Sequence, residues 1–174
     1  RAVIDCLDAD TAVLMLSHVN YRDGAVHDMA GLTRVAHEAG ALVIWDLAHS
    51  AGVLPLDLAG CDVDFAVGCG YKFLNGGPGA PAFLYAAERH HGGFAQPLSG
   101  WFGHADPFGF DPHYRPAGDI TQYLCGTPPV ISMVALEAAL ELWDKVDLRD
   151  VHAKSQALTD VFIELVEARC AGHG

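Results

Sequence analysis

Residues 41–50 read Ala41-Leu42-Val43-Ile44-Trp45-Asp46-Leu47-Ala48-His49-Ser50. Five apolar residues run without interruption and stop at a carboxylate. A continuous run this short suits a strand buried on both faces, as in parallel sheets. Upstream, Ala12–Leu16 is another such run; downstream, Phe65–Cys69 and Ala82–Ala86 are two more. Between the first two lies a helical pattern. Asp28 is placed to cap it, Leu32, Val35, Ala36 and Ala39 share one face, and Gly40 ends it. Strand, helix and strand within about 35 residues make a βαβ unit. An α/β layered fold with a mostly parallel sheet and helices on its faces follows.

The composition agrees. The chain has 174 residues, 51% of them hydrophobic and 18% charged. That length suits one domain, and that balance excludes a disordered tail. No apolar run approaches the roughly 18 residues a spanning helix needs. The net charge of −12 argues against nucleic acid or an anionic membrane as partner. The five cysteines (Cys6, Cys61, Cys69, Cys125, Cys170) are odd in number and lack CxxC spacing. They predict no disulfide framework and a reducing, cytoplasmic setting. A start at Arg1 and a stop at Gly174, just past a helical pattern, read as a piece of something longer.

Beyond the strands the character changes. Residues 92–129 are rich in Gly, Pro and aromatics and show no periodicity. A loop this long is usually functional or packed on a partner. Val130–Lys145 is apolar almost all round, which predicts a largely buried helix. A last amphipathic helix, from about Leu148 to Arg169, should turn Leu148, Val151, Leu158, Phe162 and Leu165 inward.

The chain holds three lysines. Lys145 follows Glu141 by four residues and Lys154 follows Asp150 by four, so both read as solvent-facing helix pairs. Lys72 differs: it follows the Phe65–Cys69 strand, amid Gly70, Tyr71, Phe73 and Leu74, with no acid near it in sequence. A desolvated amine there has the free lone pair that Schiff-base chemistry requires; a lysine snorkelling from a strand end is the alternative. Asp46 ends its strand where open α/β sheets bind ligands, although a helix cap would also use it. Ser17 and His18 end Ala12–Leu16 in the same way. If the strands are parallel, Ser17, Asp46 and Lys72 meet at one edge.

Those three describe a pyridoxal phosphate site. The lysine takes the aldehyde, the aspartate pairs with the ring nitrogen, and His49 supports that aspartate or packs on the ring. The glycines Gly76, Gly77 and Gly79 follow the lysine, so they form no P-loop. Asp46, His49 and Cys69 have no metal-site spacing, and no metal is expected. His90 and His91 read as exposed. Trp101, Phe102 and His104 form an aromatic loop that also suits a core or interface plug.

Several stretches resemble the kynureninase family. They are Ser17-His18-Val19-Asn20-Tyr21-Arg22-Asp23-Gly24, Ile44–Ser50, Gly68-Cys69-Gly70-Tyr71-Lys72-Phe73-Leu74-Asn75-Gly76-Gly77-Pro78-Gly79, Gln96–His104 and Tyr123–Pro129. The resemblance runs from about Ala12 to Trp143. The Asp-x-x-His and lysine motifs indicate only the wider aminotransferase-like superfamily, whereas 71–79 and 97–104 are more specific.

The resemblance implies a pyridoxal phosphate enzyme of tryptophan and kynurenine catabolism and NAD biosynthesis. It would hydrolyse kynurenine, or its 3-hydroxy form, to anthranilate (or 3-hydroxyanthranilate) and alanine. It implies a homodimer with the aminotransferase-like αβα large domain. Residues 1–174 would be the central part of that domain, with a dimer-facing loop at about 92–129. The N-terminal segment and the C-terminal small domain would be absent, and the isolated piece inactive. Lys72 and Tyr71 would be catalytic. Lys72, Asp46, His49, Tyr71 and Ser17 would contact the cofactor, and Trp101 and Thr127 would reach the neighbouring subunit's phosphate pocket. Gly70 departs from the family, standing where a hydroxyl residue is expected, and no arginine here matches the one that grips the substrate carboxylate. Weighed against this are a cysteine desulfurase or aminotransferase on the same fold, a non-catalytic protein that kept it, and a metal-binding module built on the ten histidines.

Overall fold

The computed structural model describes residues 3–172. Four strands form one sheet in chain order: β1 (Val13–Ser17), β2 (Leu42–Asp46), β3 (Phe65–Cys69) and β4 (Ala82–Ala86). The first three are parallel, with Ser17 beside Asp46 and Asp46 beside Val67. β4 returns antiparallel, Cys69 facing Ala82. Its direction follows from its link. A parallel return needs a crossover, usually a helix, and residues 70–81 hold only turns.

α1 (Met29–Glu38) covers one face of the sheet. The Asp28 carboxylate accepts from the Gly31 N–H at 3.0 Å, and Gly40 leaves the helix at φ +84°. Both ends are as the sequence predicts. Beneath the helix Val43, Trp45, Val63 and Ala66 are fully buried, with Leu14, Leu16, Phe83 and Tyr85 packed around them. The Trp45 indole donates to Thr33 Oγ1 at 3.0 Å. Burying roughly 200 Å² of tryptophan at about 25 cal/mol per Å² contributes about 5 kcal/mol, which makes Trp45 the centre of this core.

The other face corrects the expectation of strands buried on both sides. Val13, Met15 and Leu84 are exposed there, Met15 to 59%. Two helices are corrected in the same sense. α2 (Val130–Trp143) buries only Ala139, and Ile131 is 90% exposed. α3 (Leu148–Cys170) buries no residue; Leu158, Phe162 and Leu165 are exposed, while Leu148 and Val151 are half-buried. Apolar composition records that a face needs cover, and no described element supplies it. Lys145 and Lys154 form no ion pair with Glu141 or Asp150; the helix ion pair found is Arg34 with Glu38. No helix among the described residues is long and apolar enough to cross a membrane.

Residues 92–129 have internal order. Short helical turns at Trp101–Gly103 and Ile120–Tyr123 flank an excursion closed by backbone bonds from Ala105 to Arg115 (2.8 Å) and from Ala117 to Gly103 (2.9 Å). Gln122 is buried within it.

One charged cluster ties the layers together. The buried Asp64 carboxylate stands just before β3. Its Oδ2 bonds with His37 Nε2 of α1 (2.8 Å) and accepts from the Val43 N–H of β2 (2.8 Å). Its Oδ1 accepts from Arg89 Nη2 (2.8 Å) and bonds with His90 Nε2 (2.6 Å). His90 is therefore inside, stacked on Phe65, where an exposed side chain is expected from the sequence. Burial pushes the Asp64 carboxyl up, but the bonds from His90, His37, Val43 and Arg89 outweigh it and hold the group well below the usual carboxylate range.

Candidate active site

The parallel strands deliver Ser17, Asp46 and Cys69 to one sheet edge, all on the open face. Alternation decides this: Trp45 faces α1, so Asp46 faces away. Ser17 Oγ donates to Asp46 Oδ2 at 3.0 Å across the β1–β2 pair. Asp46 Oδ1 accepts from the Ala48 N–H at 2.9 Å, and the Asp46 carbonyl accepts from the His18 N–H at 2.9 Å. The carboxylate is thus fixed by a hydroxyl and a backbone N–H while still half-buried. It caps a turn and faces the edge at once, so the two alternatives that the sequence leaves open coexist.

That turn carries His49 to the lysine. Lys72 Nζ lies 3.0 Å from His49 Nε2 and 5.6 Å from the centre of the Tyr71 ring. At 3.0 Å one nitrogen must donate and the other accept. Lys72 is half-buried and Tyr71 is 49% exposed. Ser17, Asp46, His49, Tyr71 and Lys72, which sequence reasoning singles out, are therefore joined by contact or by one short turn.

Two glycines set this geometry, Gly52, which the sequence does not flag, and Gly70, which it does. Gly52 has φ +86°, and a Cβ there would lie 2.6 Å from the Phe73 carbonyl oxygen. The turn bearing His49 and the loop bearing Lys72 therefore meet backbone to backbone. Gly70 answers the departure from the family pattern: a Cβ there would lie 2.8 Å from the Pro81 carbonyl oxygen and 3.0 Å from Leu136 Cδ2. With α2 against this turn, a serine or threonine has no room. The lysine loop closes through Asn75 N–H to the Lys72 carbonyl (3.0 Å) and Gly76 N–H to the Gly70 carbonyl (2.9 Å). A left-handed residue at the end of a tight turn is a readable signal, and Asn75 at φ +63° is one.

Trp101 and Thr127 stand apart. Both are exposed on the 92–129 segment, Trp101 packing edge-on to Phe102 and Phe108, and no hydrogen bond among the described residues joins either to the Lys72 edge. His104 beside them is buried, its Nδ1 accepting from the Asp106 N–H at 2.9 Å.

The donor set suits pyridoxal phosphate at two of its three ends. An amine beside a proton-accepting imidazole suits the aldehyde, and a held carboxylate suits the ring nitrogen. Ser17 Oγ is already engaged by Asp46, so the phosphate needs further donors.

The chain is 53% identical over 168 residues to a kynureninase of Burkholderia mallei (strain SAVP1), covering 97% of this chain and 40% of that one. It is 53% identical over 167 residues to a kynureninase of Pseudomonas fluorescens, covering 96% and 40%. The chain thus spans 40% of the length of these curated relatives. Among solved structures, a cysteine desulfurase of Escherichia coli superposes with a TM-score of 0.76 at 24% identity, covering 97% of this chain and 40% of that one. That likeness speaks for the fold alone. The sequence profile described as Aminotransferase class-V matches residues 1–170, and this chain belongs to that family.

Proposed function

We propose that the protein carrying this chain is a kynureninase: with pyridoxal phosphate it hydrolyses kynurenine, or its 3-hydroxy form, to anthranilate (or 3-hydroxyanthranilate) and alanine. The carrying observation is the 3.0 Å contact of Lys72 with His49, on the turn that starts at the fixed Asp46. The 53% identity to kynureninases supports the substrate class. Residues 1–174 are the central part of the large domain, and residues 92–129 face a second copy, as the exposed Trp101 and Thr127 suggest. Five free cysteines among the described residues support a cytoplasmic setting.

Lys72 is the residue that holds the cofactor's aldehyde end, and Asp46 keeps the ring nitrogen protonated. When bound, the cofactor supplies an electron sink conjugated to the substrate's α-carbon. Ser17 and the Ala48 N–H keep Asp46 aimed. Once the substrate's amine has taken its place on the aldehyde, the freed Lys72 amine takes the substrate's α-proton, and His49 is within reach to share it. Water adds to the side-chain ketone, and the Tyr71 hydroxyl gives its proton to the ketone oxygen. The bond from the carbonyl carbon to the β-carbon then breaks. The carbonyl carbon leaves as the anthranilate carboxylate, and the β-carbon takes a proton to become the alanine methyl.

Borohydride reduction of the full-length protein with pyridoxal phosphate, followed by peptide mapping, tests the site; fluorescence of released anthranilate tests the reaction. A pyridoxyl group on Lys72 together with anthranilate release is expected. A label on Lys145 or Lys154, or release of sulfide or a keto acid in place of anthranilate, overturns the reading.

A further inference from the structure

The contact of Lys72 with His49 is carried by two fixed loops. His49 is pinned on both sides. Before it, the Ala48 N–H donates to Asp46 Oδ1 at 2.9 Å. After it, the Ser50 and Ala51 N–H groups donate to the Leu47 carbonyl at 3.0 and 2.9 Å, and Ser50 is fully buried. Lys72 is pinned by the Asn75 N–H on its own carbonyl, and the two loops touch where Gly52 abuts Phe73. Among the described residues Lys72 forms no ion pair, and His49 Nε2, at 3.0 Å, is the hydrogen-bond partner of its Nζ. Tyr71 presents its ring to Nζ, 5.6 Å to the centre, and its hydroxyl makes no bond there. An ammonium can only donate, so Nε2 is the acceptor whenever Lys72 is fully protonated. A carboxylate in that place would favour the charged amine. An imidazole can take a proton near neutral pH and give it back.

We propose that His49 is a catalytic residue of cofactor attachment: it shuttles the proton that must leave the Lys72 nitrogen and then reach the departing oxygen as the amine condenses with the aldehyde. The proposal rests on the cofactor reading above. Condensation needs two opposite proton movements at one place. First, Nε2 takes a proton from the Lys72 ammonium, and the freed lone pair forms the C–N bond to the aldehyde carbon. The former aldehyde oxygen then takes one proton from the attacking nitrogen and a second from His49. The C–O bond breaks, and the oxygen leaves as water. The nitrogen keeps its last proton, His49 is neutral again, and no oxidant or reductant is consumed. One group within 3.0 Å of the reacting nitrogen thus serves as base and then as acid.

The test uses the full-length protein, stripped of cofactor, as parent, His49→Gln and His49→Ala. Each is mixed with increasing pyridoxal phosphate near neutral pH, quenched with borohydride at set times, and read by mass spectrometry as pyridoxyl on Lys72. The rate at saturation isolates bond formation from any contact His49 makes with the bound cofactor. Glutamine keeps an oxygen that can accept from Nζ but cannot carry the proton, so it separates shuttling from positioning. General acid–base catalysis is worth about 10²–10⁴-fold, part of which solvent water recovers, so both variants should attach the cofactor at least about tenfold more slowly at saturation. Added imidazole should raise the His49→Ala rate in proportion to its concentration and leave the parent unchanged. A parental rate in His49→Gln, a change confined to half-saturation, no response to imidazole, or loss of fold in both variants overturns the proposal. Failure of the cofactor reading would show separately, as a parent that takes no pyridoxyl on Lys72.

Discussion

Replacing Asp64 by asparagine removes one charge and turns one acceptor into a donor. Oδ2 faces His37 and the Val43 N–H, while Oδ1 faces Arg89 and His90. Whichever way the amide lies, its NH2 meets a group that can only donate, either Val43 or Arg89. The histidines can switch tautomer; those two cannot. Each lost bond to a charged acceptor is worth about 1.5–3 kcal/mol, and Arg89 keeps its contact with the Asp62 carbonyl at 2.8 Å. The expected loss is about 3–5 kcal/mol, in line with breaking a buried pair by removing one partner. For a domain this size that is roughly 6–20 °C in melting temperature.

Thermal melts and urea titrations of the full-length protein would measure it. The pH dependence gives a second handle. The folded Asp64 carboxyl lies below its ordinary value, so its contribution is fully present above the unfolded carboxyl value of about 3.9. It is lost as pH falls further, through the folded value. The gap between parent and variant should therefore be fully present at pH 5 and above and shrink below about pH 4. A gap under about 1 kcal/mol at pH 7, against the expectation for a buried pair, would refute the account of Asp64 as the tie between α1, β2 and the end of β4.

Three further outcomes are expected. Lys72→Ala should abolish borohydride-stable labelling while leaving the melting temperature within a few degrees, read by mass spectrometry and a thermal melt. Ser17→Ala removes one of two side-chain bonds on Asp46, and a loss of about 1 kcal/mol corresponds to roughly fivefold weaker cofactor affinity, read by titrating the apo protein. Gly52→Ala must both adopt φ +86° and relieve the 2.6 Å approach to Phe73, so it should lose at least about 1–2 kcal/mol of stability and lower turnover more than Ser17→Ala does.

The strands and α1 were legible because their signals are local. Asp28 and Gly40 bracket a helix by side-chain chemistry alone, and Ala41–Trp45 needs no distant partner to read as a strand. Parallel β1 to β3 put Asp46 and Lys72 at one edge, since direction fixes which ends coincide. Asp64 was not legible: its partners His37, Val43, Arg89 and His90 come from three elements, and no spacing in sequence records that they meet. Gly52 is silent for a similar reason, because what excludes a side chain there is the backbone of a remote segment. α2 and α3 show a different limit. Their apolar patterns predict burial that the described residues do not supply, because pattern does not say whose residues cover a face, and the chain spans 40% of its relatives' length.

The spatial order of the strands is also their order of synthesis. Each of β2, β3 and β4 adds to the strand just before it, so none waits for a segment not yet translated. Contacts this local favour rapid, vectorial assembly on the ribosome. Ser17, Asp46, His49 and Lys72 are in register by the time Ala86 has emerged, before Trp101 and well before Thr127. The edge proposed to anchor the cofactor is thus laid down within one nascent chain, ahead of the 92–129 segment proposed to face a second copy.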